Sequence, residues 1–248
     1  MKAPKMKAAM SAKTPMVGVS IMFSSPQLVE MIAALGFDWV LIDCEHGSID
    51  LSNLEVMAIA AKAAGITAIA RPPSNSPIDI MRVMDRGVDG VQVPHIKSQK
   101  EAKAAVESVK FHPLGNRGLA MGTRPSNYGI GVELDQYSKT SNLDSIVVLQ
   151  IEDREAIENL DEILSVADVD VFFVGPSDLS QSLGHPGKAN KPPVSTAITK
   201  IFRSIAEAGL TSGTASSEKQ MEKAKKEGCC YLYTHLNNVL KLGAENYL

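Results

Sequence analysis

The stretch of chain 146–153 has the sequence Ile-Val-Val-Leu-Gln-Ile-Glu-Asp. Its first six residues are apolar apart from one glutamine, and two carboxylates follow directly. Strands with one solvated face alternate apolar and polar residues, whereas a continuous apolar run is typical of a parallel strand buried on both faces. The stretch therefore predicts a buried parallel strand that ends in acidic residues.

Seven further apolar runs of this kind occur along the chain, and segments with helical spacing separate them. The predicted strands are 17–23, 39–43, 68–71, 90–94, 146–151, 169–174, 210–214 and 230–234. The predicted helices are 26–35, 51–64, 78–86, 99–110, 154–164, 196–208, 218–227 and 237–244. Several of these helices are followed by a glycine that can form a left-handed C-cap.

Eight strands, each followed by a helix, predict a single-domain (β/α)8 TIM barrel over residues 16–248. Residues 1–15 form an N-terminal extension, for which we expect a partly ordered helix. The segment after the first strand, Ser24-Ser25-Pro26, lacks the glycine-rich fingerprint of an open nucleotide-binding sheet. Two connections, 112–145 and 176–193, are long enough to suggest functional or mobile loops.

The composition excludes several classes of protein. A net charge of -3 with 44% hydrophobic residues is typical of an ordered globular chain, and it leaves no basic excess for binding nucleic acid. Three cysteines, two of them adjacent, favour reduced thiols and a cytoplasmic location over a disulfide scaffold. Since no apolar run reaches the length of a membrane span, we expect no membrane partner.

Polar side chains follow the predicted strands at their carboxyl ends, where the active sites of such barrels lie. Each one has an ordinary structural explanation: Asp153 and Asp178 could be helix N-caps, Arg71 a surface ion pair and His46 a structural histidine. Their convergence at one rim favours a functional site. The set comprises Asp43, His46, Arg71, Gln150, Glu152, Asp153, Ser177 and Asp178.

The pair Glu152 and Asp178 suggests a metal site. Gln150 and Glu152 are two residues apart on a strand, so both side chains point into the barrel. Two carboxylates without cysteine or a histidine triad suit Mg²⁺ or Mn²⁺, which take their remaining ligands from water and substrate.

An ordered set of motifs resembles the HpcH/HpaI aldolase family, which comprises metal-dependent class II pyruvate aldolases of the 4-hydroxy-2-oxoheptanedioate aldolase type. The resemblance extends over about residues 17–240. The motifs are 36–39 (GFDW), 43–46 (DCEH), 71–72 (RP) with Asn75, 93–94 (VP), 115–118 (GNRG), 150–152 (QIE) and 174–180 (VGPSDLS).

The resemblance implies a lyase that cleaves a 4-hydroxy-2-oxo acid to pyruvate and an aldehyde through an enolate. Glu152 and Asp178 would bind Mg²⁺ or Mn²⁺, with Co²⁺ as a substitute, and the metal would chelate pyruvate. The N–H groups of Ser177 and Asp178 would hold the pyruvate carboxylate, and Gln150 would line the site. Arg71 would bond the keto oxygen.

The implied proton relay consists of His46, oriented by Asp43, and Asp85 from a neighbouring subunit, which predicts a homo-oligomer, a trimer or hexamer. Because Asp85 lies near the end of its helix, it is far from the rim of its own barrel. The alternative for Asp85 is a surface ion pair with Arg82, three residues earlier.

Other functions remain open at this point. A Schiff-base aldolase is disfavoured because none of the predicted strands contains a lysine, and Lys97 lies in a polar turn. An oxaloacetate decarboxylase or acyl-CoA lyase would use the same enolate chemistry, and a non-catalytic barrel that binds a 2-oxo acid would not need the relay. The seventh and eighth strand ends, 212–216 and 231–235, differ from the family pattern near the second substrate.

Overall fold

The computed structural model describes residues 3–248, in which eight parallel strands pair in chain order to form a closed barrel. The last strand pairs with the first, with Val17 opposite Leu232 and Ser20 opposite His235. This confirms the predicted (β/α)8 barrel. The strands are β1 (Met16–Ile21), β2 (Trp39–Asp43), β3 (Thr67–Arg71), β4 (Gly90–Val93), β5 (Ile146–Ile151), β6 (Val171–Val174), β7 (Ser212–Ala215) and β8 (Tyr231–His235).

Alternate residues of each strand face the barrel interior and the surrounding helices. The interior holds an aromatic cluster in which Trp39 stacks on Tyr231 with ring centroids 4.1 Å apart, and Phe173 stacks on Tyr233 at 5.3 Å. These rings come from β2, β6 and β8, which meet only inside the barrel. The packed rings fill the barrel interior at this level.

Gly18 on β1 makes room for this cluster. A Cβ atom at this position would lie 2.5 Å from the Trp39 indole, closer than side-chain atoms approach one another. The absence of a side chain on β1 therefore allows the barrel to enclose the indole.

Twelve α-helices and one 3-10 helix (Arg124–Gly129) lie within residues 3–248. Helix α3 shows how these helices begin and end: Asp50 accepts the N–H of Asn53 at its start, and Gly65 ends it in the left-handed conformation predicted for the glycine C-caps. The helices are α1 (Ala3–Ser11), α2 (Pro26–Ala34), α3 (Leu51–Ala64), α4 (Pro77–Met84), α5 (Gln99–Val109), α6 (Leu134–Asp144), α7 (Arg154–Glu158), α8 (Leu160–Leu164), α9 (Pro176–Ser182), α10 (Val194–Glu207), α11 (Glu218–Lys226) and α12 (Leu236–Glu245).

Helix α1 packs against the interior cluster of the barrel. Met6 and Met10 on this helix are buried and belong to the same cluster as Trp39. Lys13 follows the helix and donates to the carbonyl of Leu210 at 2.7 Å. The amino-terminal segment is thus tied to the end of the barrel opposite the strand carboxyl ends.

Three elements differ from the prediction. The connections 112–145 and 176–193 contain helices α6 and α9, so they are more ordered than long loops. The predicted helix 154–164 is divided at Asn159, whose backbone leaves the helical conformation and whose amide donates to the Lys97 carbonyl at 2.9 Å. This hydrogen bond holds the chain at the point where the helix is interrupted.

Within residues 3–248, each helix is too short or too polar to cross a lipid bilayer.

Candidate active site

A cavity of about 150 Å³ opens at the carboxyl ends of the strands. Six of the predicted site residues line it: His46, Arg71, Gln150, Glu152, Ser177 and Asp178. They come from four strand ends, which the closed barrel brings to one rim. The remaining lining is apolar or aromatic, except for His235 and the backbone at Gly175.

Two carboxylates hold the Arg71 guanidinium in position. Its Nε and Nη2 donate to the two oxygens of Asp43, the former at 2.9 Å, and its Nη1 lies 3.0 Å from Glu45 Oε2. Burial alone would raise the pKa of Asp43, but the bidentate contact with the Arg71 guanidinium lowers it below its usual value. Because Arg71 is only 5% exposed, the alternative of a surface ion pair is wrong.

Asp43 positions His46 through the backbone and not through the imidazole. Asp43 Oδ1 accepts the N–H groups of Glu45 at 3.1 Å and His46 at 3.2 Å, which fixes the turn after β2. The His46 ring lies beside Glu45 instead, with Nε2 3.7 Å from Oε2, and its side chain is half exposed. The predicted orientation of the ring by Asp43 is therefore corrected to orientation of the turn.

Glu152 is a carboxylate buried beneath the cavity, with 1% of its surface exposed. Its Oε1 accepts the backbone N–H of His95 at 2.9 Å, and its Oε2 accepts the Gln150 amide at 2.6 Å. Burial raises the pKa of Glu152 to about 7, and the nearby negative charge of Asp178 adds to the rise. The site thus places two acidic side chains in one cavity, one of them almost fully buried.

His95 is a site residue that the sequence analysis missed. It has a left-handed backbone, with φ of +55°, and its ring contacts three carboxylates. Nδ1 lies 3.1 Å from Asp153 Oδ2 and 3.4 Å from Glu152 Oε1, and Nε2 lies 3.3 Å from Glu45 Oε1. Burial would lower the pKa of His95, but attraction to these carboxylates raises it overall. His95 therefore joins the Arg71 cluster to the Glu152 cluster.

A chain of buried side chains continues from Glu152 into the barrel. The Gln150 carbonyl accepts from the amide of Gln92, whose own carbonyl accepts the Tyr231 hydroxyl at 3.0 Å. Each amide in this chain both donates and accepts, so its orientation is fixed. The network holds Gln150 with its amide donating to Glu152 and supports the predicted position of Gln150 in the site.

The carboxylates after β5 and β6 do not cap helices through their side chains. Asp153 occupies the N-cap position of α7 without a side-chain cap and contacts His95 instead. Asp178 lies within the first turn of α9, where the N–H groups of Ser177 and Asp178 have no intrahelical acceptor. The N-cap explanation is therefore wrong for Asp178, whereas Asp153 occupies the N-cap position but uses its side chain to contact His95.

Asp85 lies away from the cavity, at the end of α4. Its Oδ1 accepts from Arg117 Nη2 at 2.7 Å, and the Arg117 guanidinium also packs over the Phe111 ring at 4.8 Å. The ion pair expected with Arg82 is thus formed with Arg117, because the chain folds back after α5. A larger cavity of about 410 Å³ lies at this end of the barrel, near the amino ends of β3–β5.

Two lysines, Lys97 and Lys110, are candidates for forming an imine with a 2-oxo acid, but their positions do not suit this reaction. Burial lowers the pKa of Lys110 to about 8, but this amine donates to the carbonyls of Asn142 and Ser145 at the opposite end of the barrel. Lys97 is 40% exposed and lies 3.8 Å from Asp153. Neither amine lines the cavity at the catalytic rim.

A model of the HpcH/HpaI aldolase/citrate lyase family matches residues 17–231. The chain belongs to this family. It is 32% identical over 223 residues to a hydroxypyruvate/pyruvate aldolase of Sagittula stellata, covering 90% of this chain and 87% of that protein. It is 35% identical over 209 residues to a 5-keto-4-deoxy-D-glucarate aldolase of Shigella boydii, covering 84% of this chain and 80% of that protein.

Among solved structures, an HpcH/HpaI aldolase/citrate lyase family protein from Burkholderia cenocepacia superposes with a TM-score of 0.91. The two chains are 26% identical, and the superposition covers 98% of this chain and 96% of the other. Family membership confirms the predicted resemblance and the predicted class of enzyme, a carbon–carbon lyase.

The residues of this aldolase fit a divalent metal ion. Glu152 and Asp178 line the same cavity, and two carboxylates are a set that suits a hard ion completed by water and substrate. Gly175 shapes the space beside them, because a Cβ at this position would lie 2.3 Å from Glu152 Oε2. A cation here would offset the charge of Glu152, which contacts no lysine or arginine among the described residues.

Replacing Asp43 with asparagine should destabilise the aldolase, because it leaves the buried Arg71 with one carboxylate partner in place of two. We expect a loss of about 3 kcal/mol in the free energy of unfolding, measured with urea. The double variant Asp43→Asn/Arg71→Met should recover part of this loss, since both charges are then removed.

Asp135→Asn is the matched control, because Asp135 forms an exposed ion pair with Lys139 at 2.8 Å. Its effect should stay below about 0.5 kcal/mol. Additive losses in the double variant at positions 43 and 71 would contradict a coupled buried pair.

Proposed function

We propose that this protein is a pyruvate aldolase that cleaves a 4-hydroxy-2-oxo acid to pyruvate and an aldehyde, using Mg²⁺ or Mn²⁺, and that it works in the cytoplasm. The observation that carries the proposal is the buried carboxylate of Glu152 in one cavity with Asp178 and Arg71. Glu152 and Asp178 would hold the metal, whose positive charge would stabilise the enolate formed when the carbon–carbon bond breaks.

The residues around the metal site bind and orient the 2-oxo acid. The free N–H groups of Ser177 and Asp178 are suited to the carboxylate, since they point away from their helix without acceptors. Arg71, fixed by Asp43 and Glu45, presents its guanidinium to the keto oxygen. Such preorganised donors stabilise the negative charge that develops on this oxygen during cleavage.

Proton transfer is assigned to His46. In the cleavage direction the C4 hydroxyl loses its proton to the base, and the C4 carbonyl forms as the C3–C4 bond breaks. The electron pair of that bond passes into the enolate of pyruvate, which then takes a proton at C3. An imidazole can accept and return such a proton near neutral pH. His46 suits this role because its side chain is half exposed at the cavity.

The experiment that tests this function measures pyruvate release from a panel of 4-hydroxy-2-oxo acids. We expect turnover with Mg²⁺, Mn²⁺ or Co²⁺, its loss on chelation with EDTA and its return when the metal is restored. Borohydride added with pyruvate should trap no adduct, because no lysine lines the cavity. Turnover that persists in EDTA, or a covalent lysine adduct found by mass spectrometry, would contradict the metal-dependent mechanism.

The active form is proposed to be a homo-oligomer, a trimer or hexamer, in which Asp85 of one subunit completes the relay of the next. Asp85 retains a partly exposed carboxylate, with 15% of its side chain accessible, beside the buried Arg117. Within one chain the carboxylate lies at the end of α4, while His46 follows β2 at the catalytic rim.

Mixing two inactive variants tests this arrangement. Asp85→Ala and His46→Ala should each lose most activity. When the two variants co-assemble in equal amounts, about a quarter of the sites should combine an intact His46 from one chain with an intact Asp85 from the other, and these sites should regain activity. Size-exclusion chromatography and urea unfolding serve as controls for assembly and for loss of the Arg117 pair. An active wild-type monomer, or mixtures without recovered activity, would contradict a shared site.

A further inference from the structure

The cavity has two chemically different halves. The half at β2, β3, β5 and β6 carries charged and polar groups, whereas the half at β1, β7 and β8 is mostly apolar. The lining of the second half consists of Met22, Ala215, Tyr233 and His235. If the proposed function holds, the metal and pyruvate occupy the polar half, so the aldehyde occupies the other. His235 is then the imidazole beside the aldehyde.

His235 ends strand β8 with its side chain directed into the barrel mouth. It follows Tyr231 and Tyr233 at intervals of two residues, so it shares their inward face. Its ring meets Tyr233 edge to face, with centroids 5.5 Å apart. Ser20 on β1 is its register partner and therefore faces the same interior. The ring thus lies where the first and last strands pair to close the barrel.

The two nitrogens of His235 have different surroundings. Nδ1 is fully buried and has no hydrogen-bond partner among the described residues. The Oγ of Ser20, which is 1% exposed, is likewise unpartnered. Since the ring is partly exposed at the cavity and Nδ1 is not, Nε2 is the polar atom that the ring can present to a bound molecule.

The tautomer follows from the burial of Nδ1. A buried N–H without an acceptor is more costly than an unpaired acceptor, so the proton is favoured at Nε2. Burial and the positive charge of Arg71 lower the pKa of His235, which keeps the ring neutral near pH 7. A neutral imidazole therefore offers one N–H donor to the aldehyde half of the cavity.

We propose that His235 is a specificity-determining residue, whose Nε2–H donates to a hydroxyl oxygen of the aldehyde and selects hydroxylated aldehydes over alkyl aldehydes of equal size. A hydroxyl fits better than a carboxylate, because the neutral ring offers a single N–H donor and Met22, Ala215 and Tyr233, which complete this half of the cavity, carry no positive charge. The apolar contacts with Met22 and Ala215 accommodate the carbon chain.

The test compares the addition of pyruvate to glycolaldehyde and to propanal, which have the same number of non-hydrogen atoms and differ by a hydroxyl in place of a methyl group. The wild-type protein should favour glycolaldehyde in kcat/KM. His235→Leu should lose about tenfold for glycolaldehyde and little for propanal, as expected for one lost hydrogen bond. His235→Gln, which keeps an N–H donor, should retain part of the preference.

A second measurement separates this proposal from the proposed function. Exchange of the pyruvate methyl protons with D₂O, followed by NMR in the presence of Mn²⁺ or Mg²⁺, requires enolate formation but no aldehyde. It should proceed in His235→Leu at the wild-type rate. If wild-type protein shows neither exchange nor addition, the proposed function fails. If both occur but the glycolaldehyde-to-propanal ratio is the same in His235→Leu, or if that variant loses exchange, the assignment of His235 is overturned.

Discussion

The site depends on one constraint, a carboxylate buried at the mouth of a closed barrel. Glu152 is bonded by the His95 N–H and the Gln150 amide, and Gly175 leaves space beside it. These contacts fix its orientation without neutralising it. Burial outweighs the favourable contacts with His95 and Gln150 and raises its pKa to about 7, so further positive charge in the cavity would stabilise its charged form. A divalent metal ion would provide that charge.

A second buried network contains the positively charged groups that the protein itself places at the cavity. Arg71 is held by Asp43 and Glu45, and His95 links Glu45 to Glu152. Both clusters are therefore parts of one array that spans four strand ends. Such an array keeps donors and acceptors in place before substrate binds, which is the basis of electrostatic catalysis. The half of the cavity at β1, β7 and β8 lies outside this array and is mainly apolar.

The barrel and most of the rim could be predicted because parallel strands place their carboxyl ends together. Glu152 and Arg71 were found in this way. His95 could not be found, because it lies two residues beyond β4 with a left-handed backbone, and only the pairing of β4 with β5 brings its N–H to Glu152. Helix α6 was missed because few of its residues are apolar, and the Arg117 contact of Asp85 depends on how the following segment folds back.

The claim that Glu152 is a metal ligand, and His46 a proton carrier, is tested most directly by titrating the protein with Mn²⁺ and recording the bound fraction by electron paramagnetic resonance. The wild-type protein and His46→Ala should bind Mn²⁺ with closely similar affinity, although His46→Ala should lose about 10²–10⁴-fold in turnover. Glu152→Gln, which preserves the shape of the side chain, should lose most Mn²⁺ binding while remaining folded. Equal Mn²⁺ affinity in Glu152→Gln and the wild-type protein would contradict the account.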